Sequence, residues 1–176
     1  MPSGGRERIG VFGGTFDPVH VGHLVAAVGA RHALSLDRVL LVVANQPWQK
    51  HDRAVTDAAS RLEMVEAATT SVDGLEASSL EIDRGGDSYT ADTLEALAAA
   101  EPDRELFLVV GADVVADLPT WRRVESVRPL ATLVVVTRPG AHVVDPGPGW
   151  TTERVDIPAL KVSASDLRRG VADGRT

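Results

Sequence analysis

The sequence predicts a single α/β domain in which helices cover both faces of a parallel sheet. The chain has 176 residues, of which 44% are hydrophobic, and this is the length and composition of one folded domain. Short apolar runs alternate with longer segments in which apolar residues recur at helical spacing. Such alternation favours parallel strands joined by helical crossovers. No second domain boundary is indicated, so residues 1–176 are expected to form one domain.

Four apolar runs indicate strands that are buried on both faces. Each run is nearly continuous rather than alternating, which is typical of a parallel strand covered by helices on either side. The runs are residues 9–12, 39–43, 106–110 and 133–136. A fifth strand is predicted at residues 77–82, followed by a turn at Gly85 and Gly86, and the Pro- and Gly-rich residues 139–149 are predicted to form a surface loop.

Helical patterns lie between these runs, and each places several apolar residues on one face. We predict Thr56 and Thr90 as the N-caps of the second and third helices, because a threonine hydroxyl can accept a bond from a free backbone N–H. The inward faces are Leu24, Ala27, Val28 and Leu34 in the first helix, Leu62, Val65 and Ala68 in the second, and Leu94, Leu97 and Ala98 in the third.

Composition limits the partners that the chain can have. Its formal net charge of −7 disfavours broad binding to nucleic acid or to anionic membranes. The lack of cysteine excludes disulfides, thiolate metal sites and a cysteine nucleophile. The polar N-terminal residues do not resemble a secretory signal, and no apolar stretch reaches the roughly 18 residues that indicate a membrane span. A cytoplasmic protein is expected.

Clusters of glycine and polar residues follow four of the predicted strands. They are residues 13–15, 45–50, 111–113 and 137–140. The carboxyl ends of parallel strands meet at one edge of the sheet, and ligands of open α/β sheets bind beyond that edge. The sequence therefore predicts one binding site built from all four clusters.

The first cluster has the features of a phosphate-binding turn. Glycines at 13 and 14 let the backbone approach a ligand, and the helix start that follows presents free N–H groups. His20 and His23 are three residues apart, so they point the same way at that helix start. A zinc site formed by these histidines with Asp17 is an alternative, but glycines and a helix start suit an anion better. The segment is neither a Walker loop nor a G-x-G-x-x-G turn.

Residues 13–23 read Gly-Gly-Thr-Phe-Asp-Pro-Val-His-Val-Gly-His, and they resemble the His-x-Gly-His signature of the nucleotidyltransferase superfamily. The whole string is similar to the bacterial nicotinate-mononucleotide adenylyltransferases in particular. That resemblance implies a Rossmann-like parallel sheet of the nucleotidyltransferase type. It also implies transfer of an adenylyl group from ATP to nicotinate mononucleotide, giving deamido-NAD and pyrophosphate in NAD biosynthesis.

Later segments extend the resemblance over residues 8–170. They are residues 45–50, 61–64, 88–94, 111–113, 118–121, 138–140 and 162–168. The resemblance implies catalytic roles for His20, His23, Lys50 and Arg168. It implies ATP binding by Gly13, Gly14, Thr15, Phe16, His20, His23, Gly111, Asp113, Ser165 and Arg168. It implies binding of nicotinate mononucleotide by Asn45, Lys50, Thr90, Trp121 and Arg122. Mg²⁺ is expected to arrive with the ATP phosphates, without a protein metal ligand.

The sequence also departs from the family pattern. Trp48 and Gln49 replace a proline and a histidine that are usual before the retained Lys50, and Ser165 replaces a threonine. Family members usually continue past Arg168 with a further strand and helix, so a short C-terminal end is expected for a chain that stops at Thr176. A homo-oligomer is left open.

Simpler roles compete for several of these residues. Arg61 is as easily explained by an arginine on a helix surface as by a family position. Trp121 could belong to the core. The last helix, capped by Ser163, could be an amphipathic surface helix. Rival functions are adenylyl transfer to nicotinamide mononucleotide or phosphopantetheine, a silent nucleotide sensor, and a structural or nucleic-acid adaptor. The phosphopantetheine enzymes usually have threonine where this chain has His20.

Overall fold

The computed structural model describes residues 5–50, 52 and 54–175. Six strands form one sheet in the order β3-β2-β1-β4-β5-β6, and every neighbouring pair is parallel. The predicted α/β class and the four apolar strands are confirmed. The strands are β1 Arg8–Gly14, β2 Arg38–Val43, β3 Leu75–Ser78, β4 Glu105–Gly111, β5 Ala131–Thr137 and β6 Thr152–Asp156.

Helices connect the strands and lie on both faces of the sheet. They are α1 Val21–Ala33, α2 Ala58–Thr69, α3 Leu80–Arg84, α4 Thr90–Ala100, α5 Val124–Val127 and α6 Ala164–Ala172, with 3₁₀ turns at Trp48–Lys50 and Val115–Thr120. The described residues contain no helix that is both long and apolar enough to cross a membrane.

The core is divided by the sheet, and β2 shows why its strands are apolar throughout. Val39, Leu41 and Val43 are fully buried in the cluster that includes residues of α1 and α2. Leu40 and Val42 point the other way and belong to the cluster that includes residues of α4. Because successive side chains alternate between the faces, a strand covered on both sides needs apolar residues at every position.

Both predicted threonine caps are wrong. Asp57 caps α2, since its Oδ1 accepts from the backbone N–H of Ser60 at 3.0 Å. The backbone N–H of Thr56 donates instead to Asp17 Oδ2 at 3.2 Å. In α4 the cap position is Tyr89, and Thr90 is the first helical residue. The predicted cap of the last helix is confirmed, because Ser163 Oγ accepts from Asp166 N–H at 3.1 Å.

The fifth strand is shorter than predicted and a sixth was missed. β3 ends at Ser78, and residues 80–84 form α3, in which Leu80 and Ile82 pack into opposite core clusters. Two apolar residues with one residue between them look like a strand in the sequence but are too few to exclude a helical turn. β6 lies at the edge of the sheet and buries only Val155, so it lacks the apolar run that marks the other strands.

The order of strands fixes the place of the site. β1 lies between β2 and β4, so the chain winds outward in one direction from β1 and in the other direction from β4. The crevice at such a reversal, beyond the carboxyl ends of the strands, is where open α/β sheets bind ligands. Gly14, Val43 and Gly111 end the three strands at this point.

Candidate active site

Two cavities open beside the end of β1 and share part of their walls. The histidine cavity, of about 620 Å³, is lined by His20, His23, Asp113, Ser165 and Arg168 among others. The aromatic cavity, of about 270 Å³, is lined among others by Trp48, Tyr89, Thr90, Trp121 and Arg122. The residues common to both walls are Phe12, Gly13, Gly14, Thr15, Lys50, Val110, Gly111 and Val114. The turn after β1 is therefore the junction of the two cavities.

The two glycines of this turn are needed for different reasons. A Cβ on Gly13 would meet no protein atom within 4 Å, so this backbone faces open space at the junction. A Cβ on Gly14 would lie 2.9 Å from the ring of Phe16, which is only 2% exposed. Gly14 makes room for Phe16, and Gly13 leaves room for a ligand.

The imidazoles of His20 and His23 are oriented by backbone hydrogen bonds. Nδ1 of His20 accepts from the N–H of Gly22, and Nδ1 of His23 accepts from the N–H of His20, both at 3.1 Å. The two rings stack with their centroids 3.8 Å apart, and Phe16 packs edge-on to His23 at 5.0 Å. A neutral imidazole that accepts at Nδ1 carries its proton on Nε2. Both histidines are therefore Nε2–H donors at the wall of their cavity.

Both rings are held in the neutral form. Burial lowers the pKa of His20, and burial together with the neighbouring His20 imidazole and the charge of Lys50 lowers the pKa of His23 to about 4. At neutral pH the pair adds hydrogen-bond donors to the cavity without adding positive charge.

The positive charge comes from two other predicted residues. Lys50 Nζ donates to Thr15 Oγ1 at 2.8 Å and so lies at the junction of the cavities. Arg168, on α6, donates to the backbone oxygen of Asp17 at 2.7 Å and to Ser165 Oγ at 3.2 Å. A lysine and an arginine placed on the wall of one cavity suit a ligand with several phosphate groups.

Arg61 is neither on the surface nor on the wall of the two main cavities. It is 1% exposed, and its guanidinium donates to the backbone oxygens of Thr15, Ala44 and Thr56 at 2.7 Å and of Asn45 at 3.1 Å. These oxygens belong to the loops after β1 and β2 and to the segment before α2. Arg61 thus ties together the backbone around the junction. The sequence marked the position but not this role.

Asp17 joins the same framework. Burial acts to raise the pKa of its carboxyl, but hydrogen bonds from Thr56 and the charges of Arg168 and Arg61 outweigh burial and lower that pKa. Its carboxylate is turned toward Thr56, which does not favour the alternative of a zinc site with the histidines. Across the described parts of the chain, no three His, Asp or Glu side chains are grouped to hold a metal ion.

Aromatic side chains form the second cavity. Trp48 and Tyr89 lie with their ring centroids 6.1 Å apart, and the Arg122 guanidinium lies over the Tyr89 ring at 4.7 Å. Trp121 lines this cavity while also packing against the core cluster on the α4 side, so both sequence alternatives hold for it. Tyr89 was not assigned from the sequence, although it stands within the residues 88–94 that carried the resemblance.

Two predicted residues lie at the margins. Asn45 lines neither of the two cavities; its Nδ2 donates to the backbone oxygen of Gly86 at 2.9 Å, and its N–H donates to Ser88 Oγ at 2.8 Å. It positions the segment that leads into α4. Asp113 is exposed on the wall of the histidine cavity, and its Oδ1 lies 2.5 Å from where a Cβ on Gly111 would be.

A parallel sheet, a glycine turn and two cavities that meet at it define the class of α/β proteins that bind ligands beyond the carboxyl ends of their strands. The profile of the cytidylyltransferase-like family matches residues 11–170. A Corynebacterium kroppenstedtii protein is 47% identical over 92% of this chain and 78% of its own length, and a Streptomyces coelicolor protein is 46% identical over 92% and 87%. Both are named "probable nicotinate-nucleotide adenylyltransferase". The chain therefore belongs to the cytidylyltransferase-like family and, within it, to the nicotinate-nucleotide adenylyltransferases.

Solved structures share the fold. The Plasmodium falciparum nicotinic acid mononucleotide adenylyltransferase complexed with NaAD superposes with a TM-score of 0.81, at 17% identity, over 97% of this chain and 87% of that one. The same Plasmodium enzyme complexed with APC gives a TM-score of 0.76 at 18% identity, over 93% of this chain and 83% of that one. At these identities the likeness concerns the arrangement of the backbone.

Proposed function

We propose that the chain transfers the adenylyl group of ATP to nicotinate mononucleotide and releases pyrophosphate. One observation carries this proposal: two cavities of different chemistry meet at the Gly13–Gly14 turn, with Lys50 at the junction. A reaction between two nucleotides needs their phosphates side by side while their other ends lie apart. The histidine cavity suits the triphosphate of ATP, and the aromatic cavity suits a pyridine ring.

The triphosphate would be held by donors rather than by a covalent bond. The Nε2–H groups of His20 and His23 and the guanidinium of Arg168 line one cavity, and Ser165 accepts from Arg168 on the same wall. Such groups are already oriented by backbone and side-chain contacts before a ligand binds. Preorganised donors of this kind stabilise the charge that develops on transferring phosphoryl groups.

The chemistry is a direct displacement at the α-phosphorus of ATP. An oxygen of the mononucleotide's 5′-phosphate forms the new P–O bond, the bond from the α-phosphorus to the α,β-bridging oxygen breaks, and its electron pair leaves with pyrophosphate. A phosphate monoester is already anionic at neutral pH, so no side-chain nucleophile or strong base is needed. The protein aligns the two reactants and stabilises the charge that develops on the phosphoryl oxygens. Both effects lower the barrier of a phosphoryl transfer.

Mg²⁺ fits this site as an ion carried by the substrate. Its preferred ligands are oxygens, and it commonly keeps several waters while bridging phosphates. When bound, the ion would neutralise part of the phosphate charge beside Lys50 and Arg168. Cytoplasmic location, oligomeric form and the absence of nucleic-acid partners stay predictions of the sequence.

The test is to supply ATP and Mg²⁺ with a panel of acceptors and to measure pyrophosphate release. We expect deamido-NAD from nicotinate mononucleotide, identified by its mass, and far less product from nicotinamide mononucleotide or phosphopantetheine. Turnover of phosphopantetheine alone would assign a different enzyme. Binding of ATP without product from any acceptor would favour a nucleotide sensor.

A further inference from the structure

Arg61 is separated from Lys50 by a single residue, Thr15. Lys50 Nζ donates to Thr15 Oγ1 at 2.8 Å, and the backbone oxygen of Thr15 accepts from Arg61 Nη1 at 2.7 Å. The guanidinium also donates to the backbone oxygens of Ala44 at 2.7 Å and Asn45 at 3.1 Å, where the chain leaves β2 and enters the loop that carries Lys50. Arg61 therefore holds both the residue that accepts from Lys50 and the start of the Lys50 loop.

Arg61 is also connected to Arg168, the second cation proposed to bind phosphate. Arg61 Nε donates to the backbone oxygen of Thr56 at 2.7 Å, and the N–H of Thr56 donates to Asp17 Oδ2 at 3.2 Å. The backbone oxygen of Asp17 accepts from Arg168 Nη1 at 2.7 Å. A continuous series of hydrogen-bonded residues thus joins the two cations. In order, its members are Lys50, Thr15, Arg61, Thr56, Asp17 and Arg168.

The middle of this series needs an arginine. Arg61 is 1% exposed and serves backbone oxygens in the loops after β1 and β2 and in the segment before α2. A guanidinium presents its N–H donors in a rigid planar fork, whereas a lysine ammonium has fewer donors at the end of a flexible stem. A lysine at this position can keep the positive charge, but it cannot hold all of these oxygens in one fixed arrangement.

We propose that Arg61 is a positioning residue for the transfer and fixes where Lys50 and Arg168 stand relative to each other; this rests on the proposed adenylyl transfer. Arg61 lines neither the histidine cavity nor the aromatic cavity, so it acts on the substrates through the two cations. If the loops that it holds are displaced, the cations move relative to the triphosphate. Small displacements of groups around a reacting centre are costly in rate.

The experiment is a double-mutant cycle of Arg61→Lys with Lys50→Ala, measuring kcat for deamido-NAD formation at saturating ATP, Mg²⁺ and nicotinate mononucleotide. Arg61→Lys alone should lower kcat about tenfold, because Lys50 is no longer held in place. In the Lys50→Ala background the same change should lower kcat less than about threefold, because the group that Arg61 positions is already absent. Glu63→Gln, an exposed change on the same helix, should leave kcat unchanged.

A second cycle separates positioning from a general loosening of the site. Arg61→Lys should also couple to Arg168→Gln, at the other end of the series, but its effect should add to that of Trp121→Ala, which lies outside the series. Equal coupling to all three changes would mean that Arg61 only stabilises the fold, and the proposal would be wrong. Urea unfolding of each variant checks that the protein is folded under the assay conditions.

The remaining outcomes also decide the proposal. An unchanged kcat in Arg61→Lys, or an equal loss with and without Lys50, overturns the positioning role while the proposed function stands. A wild-type protein that makes no deamido-NAD removes both. If Arg61→Lys does not fold, Thr15→Val tests the same link, since it keeps the backbone oxygen held by Arg61 and removes the hydroxyl that accepts from Lys50. Its loss in kcat should then disappear in the Lys50→Ala background, and a persistent loss contradicts the proposal.

Discussion

The His23 imidazole is largely buried, neutral and fixed in one tautomer. Its Nδ1 accepts from the backbone of His20, its ring rests edge-on against Phe16, and burial keeps its pKa far below the usual value. The only proton that it can offer is the one on Nε2. The His-x-Gly-His spacing predicted the pair of histidines from the sequence. The tautomer could not be predicted, because it depends on which backbone N–H donates to each ring.

His23→Ala should lower kcat by at least about tenfold, because one positioned donor to the transferring phosphate is lost. His32→Ala is the matched control, since His32 is an exposed residue at the other end of the same helix. Steady-state kinetics on both variants, with thermal melts to check folding, make the comparison. A normal kcat in His23→Ala would remove the residue from the transfer step.

Gly13→Ala should leave the fold intact and impair activity. The added methyl meets no protein atom within 4 Å, but it would project into the junction where the two phosphates are proposed to meet. We expect an unchanged melting temperature and a loss in kcat/KM of about tenfold or more, since small misplacements of reacting groups are costly. Gly5→Ala is the control, because a Cβ at Gly5 also meets no protein atom within 4 Å and Gly5 lies before β1. This variant should keep the wild-type kcat/KM. A fully active Gly13→Ala variant would place the phosphates elsewhere.

At the scale of elements, the strands were predictable and their connections were less so. A strand covered on both faces must be apolar throughout, so β1, β2, β4 and β5 are visible in the sequence. β6 has a solvated edge and one buried side chain, which no periodicity can reveal. Arg61 was hidden for a similar reason: its partners are backbone oxygens, and backbone has no sequence signature.

Arg61→Met should destabilise the protein by roughly 2–4 kcal/mol, because several buried or partly buried carbonyl oxygens lose their donor at once. The midpoint of urea unfolding gives the change in free energy. Glu63→Gln, an exposed substitution on the same helix, serves as the reference and should shift the midpoint little. Unchanged stability in Arg61→Met would mean that water replaces the guanidinium without penalty.

Across the whole molecule, the proposed reaction assigns one substrate to each of the two cavities. The switch point between β1 and β4 brings loops from both halves of the chain to one edge, and the sequence clusters after the strands predicted that meeting. The sequence did not predict that polar side chains would line one cavity and aromatic side chains the other. That separation depends on how the loops after β2 and β4 and the segment before α4 pack against one another.

Trp121→Ala should therefore raise the KM for nicotinate mononucleotide much more than the KM for ATP, since a flat face in the aromatic cavity is lost. Arg168→Gln, in the histidine cavity, should show the opposite pattern. Initial rates with each substrate varied in turn separate the two effects. Equal changes in the two KM values in Trp121→Ala would mean that this side chain only packs against the core.

The imidazole pair also makes the fold sensitive to acid. In the unfolded chain both histidines have the ordinary imidazole pKa of about 6.5, whereas in the folded site the pKa of His23 is lowered to about 4. Acidification through this interval therefore favours the unfolded chain, and stability present above pH 6.5 is progressively lost toward pH 4. Urea titrations at pH 7 and pH 5 should show a smaller acid-induced loss in His23→Gln than in wild type. An equal loss would mean that other groups govern the acid response.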